Sequence, residues 1–366
     1  MFGSLGNYAY LCSTKLINNF NQLTMKKFYS LFMLLLAGAV VGPQMMASLL
    51  IGGTRIDQSI SNSNLNIPAK TSGTIGWDAA TKTLSFKDVV LTGYEGNVVY
   101  FDGNNITFRF EGKNVIKCTN HCFVITVSSF CRFTTKALCP TAYLEMESGH
   151  ENNKTFTNID MMDGSGDLDI ENIYLKGTTY QAPIIGANSS NKLHFKTVWA
   201  HLNTTASYYS AIEGFSSCEI SNGSYVEEGK YDTSKKAFVN GSANMGEVKI
   251  LPELTVGGYI VDASQKGGGE YGPLAIIPKG LTGGSISYDG DIHFEGVSGA
   301  IGDKNLPENY GNTLVLNNNV DGLRVLVEGE NTITPASGVS TSYGLITKND
   351  KSLSIMGYTA DYQSDK

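Results

Sequence analysis

The chain is poor in charge. Of its 366 residues, 27 are Lys or Arg and 34 are Asp or Glu, so charged residues make up 17% and the formal net charge is −7. The usual charged share is about 25%. Arginine occurs only as Arg55, Arg109, Arg132 and Arg324. Phosphate contacts need clustered Lys and Arg, so an electrostatic nucleic-acid binder is excluded as the default reading. The five histidines, His121, His150, His194, His201 and His293, lack metal-ligand spacing. No stretch resembles a nucleophile elbow or a phosphate loop, and no window reads well as a helix. Hydrophobic residues at 41% and aromatics at 10% exclude global disorder. What is abundant is Asn, Ser, Thr, Tyr and Gly between short apolar runs, the texture of a β-rich protein with many turns.

The amino end reads as a targeting segment. Met25-Lys26-Lys27 precedes an apolar run from Phe28 to Val41 that Gly42-Pro43 closes. The run is shorter than the ~20 residues a membrane span needs. A basic start, a short apolar region and a small residue before a polar segment make a secretory signal over 25–47, with cleavage after Ala47, or after Ala39 as the alternative. Residues 1–24 then form an extension upstream of the true start at Met25. Leu36-Ala37-Gly38 resembles the opening of a lipoprotein box, but Ala39 stands where the lipidated cysteine belongs. The expectation is a secreted protein, extracellular or on the cell surface with the periplasm as an alternative, neither a lipoprotein nor membrane-spanning once mature.

The rest of the chain repeats. Leu50 to Ile56 returns as Thr255 to Val261, Ile75-Gly76-Trp77-Asp78 as Ile286-Ser287-Tyr288-Asp289, and Ile106 to Ile116 as Leu323 to Ile333. Order is kept while the offset drifts from 205 to 217 residues, as loop insertions in a duplicated unit produce. The units are drawn at 48–252 and 253–366, the second C-terminally truncated. A shorter period lies inside the first. Alternating triplets begin at Leu84, Ile106, Cys131, Leu168, Leu193 and Cys218, in steps of 22, 25, 37, 25 and 25. Period-two alternation sends one face in and one out, and coils of roughly 20 to 25 residues are the signature of a solenoid. The predicted fold is all-β, a right-handed parallel β-helix, with an array of β-sandwiches as the alternative.

Trp77 to Phe86 looks like a hairpin repeated across secreted proteins of gut bacteria. The strands Glu111 to Ile116 and Glu328 to Ile333, each with Glu-Gly-x-Asn and an apolar close, are similar to β-helical surface proteins of the Bacteroidales, some of them called carbohydrate-binding domain proteins. The resemblance spans most of residues 48–357. Its motifs are structural and imply no reaction.

Three constellations merit chemistry. Asp163, Asp167 and Asp169 stand in an acidic, glycine-bent stretch, and calcium takes six to eight oxygens from such loops. With Leu168 and Ile170 inward, Asp167, Asp169 and Glu171 share the outer face. The calcium reading competes with a plain solvated turn. Cys118, Cys122, Cys131 and Cys139 cluster around His121; export favours disulfides, buried thiols come second and a metal last. Outward aromatics suit a sugar-binding face: Tyr174, Tyr180, Trp199, Tyr208 and Tyr209 lie on successive predicted coils, and Tyr174, Trp199, Tyr208 and Tyr209 are singled out. Trp199 shares parity with Leu193 and Phe195, so a core position competes. His194 and Lys196 read as a solvated face. The expected function is non-catalytic binding of a polysaccharide, host glycan or surface protein, with no cofactor beyond the calcium of the acidic stretch. Rival readings are a polysaccharide lyase or glycoside hydrolase using the acidic groove, and a purely structural surface spacer.

Overall fold

Alternation in the sequence becomes alternation in space. In the strand Asp167–Glu171, Leu168 and Ile170 are buried while the residues between them face outward, and Lys192–Lys196 follows the same rule. The computed structural model describes residues 48–135, 142–149, 156–162, 166–187, 190–262, 264, 272–317, 322–339, 345–347 and 353–357. These residues are all-β, with no helix among them. Residues 1–47, where the sequence suggests an extension and a secretory signal, lie outside the described residues, as do Asp163 and Cys139. None of the described segments is a helix long and apolar enough to cross a membrane.

Most strands before residue 222 pair in parallel with the strand one step further along the chain. The first ladder runs through Thr83–Tyr94, Val99–Cys118, Phe123–Thr135, Asp167–Glu171, Lys192–Lys196 and Ser217–Ser221. Its register stacks Ile106, Cys131, Leu168, Leu193 and Cys218 in one column. A second column holds Leu84, Phe108, Phe133, Ile170, Phe195 and Ile220. Leu84 thus pairs two residues later than its triplet start implies. A slip of two keeps every side chain on its face, whereas a slip of one inverts them all. The second ladder joins Ala142–Glu147, Tyr174–Thr179 and Trp199–Thr204. A third joins the start of Phe123–Thr135 to Ile159–Met161, Ile184–Ile185 and Ile212–Glu213. The three ladders enclose one apolar core. Phe108, Phe123 and Phe133 sit at its centre, their ring centroids 4.8 to 5.1 Å apart, within the range where offset and edge-on aromatic pairs attract. The strand Glu247–Pro252 runs antiparallel against both Trp199–Thr204 and Ser224–Val226.

The described residues from Leu254 onward build a second core on a four-stranded and a six-stranded sheet. Local devices recur there. Trp77 pairs with Leu84 across an antiparallel turn, and Tyr288 pairs with Ile292 across a shorter one. Leu84 pairs with Phe108, and Ile292 with Val325. Asn114 accepts the Val89 N–H at 3.0 Å and donates to the Glu111 and Gly112 carbonyls. Asn331 accepts the Val297 N–H at 2.7 Å and donates to the Glu328 and Gly329 carbonyls. Gly112 and Gly329 hold φ of 66° and 70°, a corner that glycine enters without steric cost. Leu326 faces outward beside His293 and Met356, half-buried where Arg109 stands earlier in the chain.

Asn114 is fully buried and saturates three backbone groups, so its loss strands a buried donor and two carbonyls. Asn114→Ala is expected to cost about 1–3 kcal/mol, read as a lower urea midpoint at unchanged slope. Asn331→Ala, at a partly exposed site, is expected to cost less. Equal losses at both positions would contradict burial as the cause.

Candidate functional site

The outward positions of the first ladder assemble the densest polar cluster. Register places Thr107, Arg132, Asp169, His194 and Glu219 in one outer column. The next outer column runs Arg109, Thr134, Glu171, Lys196 and Ser221. Neighbouring strands lie about 4.8 Å apart, so charges on adjacent steps meet. Asp169 lies 2.8 Å from His194 Nδ1 and 3.5 Å from the Arg132 guanidinium. Glu171 lies 3.4 Å from Lys196 and 3.6 Å from Arg132 Nε. Arg132 therefore spans both carboxylates, and its guanidinium also sits 5.6 Å from the Phe130 ring, a favourable cation–π distance. The repulsion expected along this acidic face is relieved by cations supplied from the strands on either side.

Two of the three carboxylates in the calcium expectation, Asp167 and Asp169, are described, and both engage protein partners. Asp167 accepts the Lys192 N–H at 2.9 Å, and Asp169 is engaged by His194 and Arg132. Among the described residues no group of three or more His, Cys, Asp or Glu gathers as metal ligands would. Asp163 lies outside the described residues. His194 and Lys196, expected as an ordinary solvated face, are the partners of the acidic strand. Arg132 was missed because the 37-residue step hides it. The signal was present, since Arg132 follows Cys131 as Asp169 follows Leu168.

The aromatic candidates divide. Tyr174 and Trp199 do point out of their ladder, where Tyr143, Tyr174 and Trp199 stack in register. They are nevertheless buried, because Leu306, Tyr310 and Val315 pack over them. The Tyr174 and Trp199 rings lie 6.1 and 6.2 Å from that of Tyr310, and the Tyr174 hydroxyl donates to the Gly258 carbonyl at 3.0 Å. Neither ring is accessible to a sugar, and both instead join the first ladders to the later core. Tyr208 and Tyr209 behave as expected of loop aromatics. Tyr208 is 58% exposed, its ring centroid is 4.5 Å from that of Tyr209, and its hydroxyl donates to Tyr180 at 3.2 Å. Tyr180, 28 residues earlier and also expected to face outward, completes a three-ring surface patch.

The cysteines form no disulfide among the described residues. The Cys118 and Cys122 sulfurs lie 3.6 Å apart as thiols, and Cys131 is an inward residue of the core column, its thiol pushed well up by burial and by nearby Asp169. Cys139 lies outside the described residues. A polar network surrounds the first pair. Ser148 donates to the Thr157 carbonyl at 2.7 Å and accepts from Asn158 at 2.8 Å. His121 shares a 3.0 Å hydrogen bond with Thr157. No protein family, curated protein or solved structure matches the chain, so this geometry alone carries the functional reading.

Burial lowers the His121 pKa to about 4 from an ordinary 6.5. The unfolded chain therefore takes up a proton between pH 6.5 and 4 that the folded chain resists, and stability falls with pH across that window. At about 1.4 kcal/mol per pKa unit the loss reaches about 3 kcal/mol, and it levels off below pH 4. His121→Gln is expected to remove that part of the slope. Parallel stability–pH curves for the two proteins, measured by urea unfolding, would contradict a buried neutral imidazole.

Proposed function

We propose that this chain is an exported, non-catalytic bacterial surface protein that binds a polysaccharide or host glycan through an exposed tyrosine patch. In this reading residues 48–357 form a right-handed parallel β-helix in two related units, akin to the β-helical surface proteins of the Bacteroidales. Three parallel ladders with steps of about 25 residues support it, since aligned β-sandwiches are built from antiparallel neighbours. The observation that carries the binding reading is the patch of Tyr180, Tyr208 and Tyr209. Flat rings with polar tips suit a ligand that offers apolar C–H faces between hydroxyls, and grouped exposed aromatics mark interaction surfaces. The secretory signal supports export, and the low charge supports an uncharged ligand over nucleic acid.

A glycan array probed with the mature protein is expected to return hits that Tyr208→Ala weakens by about tenfold, roughly 1.4 kcal/mol. Tyr208 is exposed, so the substitution leaves the core intact, and an unchanged melting temperature checks this. An array without hits would favour a structural spacer. A catalytic reading draws on one observation, the Asp169–His194 hydrogen bond beside Arg132, which has the form of an oriented base next to a cation. Unsaturated products or new reducing ends from a polysaccharide panel would replace binding by catalysis.

A further inference from the structure

Cys118 closes the strand Val99–Cys118 and Cys122 immediately precedes Phe123–Thr135, so only Thr119, Asn120 and His121 separate them. Both side chains belong to the first apolar core. Their sulfurs lie 3.6 Å apart, and among the described cysteines this is the one pair whose sulfurs touch. Cys131 and Cys218 share an inward column but stand three ladder steps apart, about 14 Å at roughly 4.8 Å per step. A disulfide needs Cα atoms within about 7 Å, so those two cannot join. The Cys122 sulfur is also set among polar groups. It lies 3.6 Å from the Ser148 hydroxyl and 3.7 Å from each of the Ile116 and Glu147 carbonyls, and Asn158 donates to it at 3.9 Å.

We infer that Cys118 and Cys122 form a thiol-exchange site that takes low-molecular-weight disulfides and closes to an intramolecular Cys118–Cys122 disulfide. Cys118, 9% exposed where Cys122 is wholly buried, is the entry sulfur. It attacks one sulfur of the small disulfide; that S–S bond breaks, and the departing thiol takes the Cys118 proton. Cys122 then attacks the Cys118 sulfur of the mixed disulfide, and the second small thiol leaves with the Cys122 proton. Two protein thiols are oxidised and the small disulfide is reduced to two thiols. The second attack brings sulfurs now 3.6 Å apart to about 2.05 Å. Burial opposes a thiolate at Cys122, but hydrogen bonds from Cys118, Ser148 and Asn158 outweigh it and hold this thiol below its ordinary range. The thiolate is the attacking form. An oxidising compartment, as the proposed export implies, supplies the small disulfide; the exchange itself is independent of the glycan reading.

The test refolds the mature chain from urea in a mixture of reduced and oxidised glutathione, so that burial does not bar the reagent. Thiols are then counted by alkylation in denaturant and mass spectrometry. Five cysteines follow residue 47, and two alkylatable thiols are expected to be lost. Trypsin cutting after Lys117 and Arg132 yields one peptide with Cys118, Cys122 and Cys131. That peptide is expected to lose two hydrogens, and cleavage after Phe123 separates Cys131 and places the crosslink. Dithiothreitol is expected to restore both thiols. Cys118→Ala is expected to keep all its thiols through the same treatment, while Cys131→Ala still loses two. Circular dichroism matching the parent establishes that both variants fold. The proposal is overturned if all five thiols persist, if the crosslink includes Cys131, Cys139 or Cys218, or if glutathione stays attached to Cys118 as a mixed disulfide.

Discussion

Everything in this structure depends on the register of the parallel ladders. Ile106, Cys131, Leu168, Leu193 and Cys218 stack in one inward column, and Phe108, Phe133, Ile170, Phe195 and Ile220 in the next. Each apolar residue finds its partners one step above and below, and burying such side chains contributes about 25 cal/mol per Å² of apolar surface removed from water. Because alternation has period two, a shift of one residue would put the phenylalanines in water and the carboxylates in the core. The apolar columns therefore hold the alignment, and the outer polar columns inherit it.

That inheritance explains the charge cluster. Arg132, Asp169, Glu171, His194 and Lys196 meet because the inward residues beside them meet. Exposed ion pairs are individually worth only about 0–1 kcal/mol, too little to set register against the core. What they do is make the aligned state tolerable, since Asp167, Asp169 and Glu171 on one face of a single strand would repel without cations beside them.

A second consequence concerns the aromatics. Tyr143, Tyr174 and Trp199 point outward from their ladder and would be a large exposed patch if Leu306, Tyr310 and Val315 did not cover them. Tyr310 is fully buried against them. The outward parity of Tyr174 was legible from its strand, but exposure is decided by what packs on a face, and the covering residues lie more than a hundred positions away. Tyr208 escaped covering and stayed accessible.

Sequence alone determined the periodic part of this protein. Strand existence, inward and outward parity, the 25-residue step, the acidic outer face of Asp167, Asp169 and Glu171, and the shared Glu-Gly-x-Asn corner all follow from local alternation and from glycine's access to positive φ. These are short-range steric and hydrophobic effects, written into neighbouring residues. Tertiary structure alone decided which steps became neighbours across the irregular 37-residue interval, so that Arg132 joined Asp169 and Glu171. It also decided that Tyr174 and Trp199 were covered, that Tyr180 joined Tyr208, and that the Cys118 and Cys122 thiols lie side by side unbonded. Those outcomes depend on contacts between distant segments, whose energies come from packing and desolvation that no local pattern encodes.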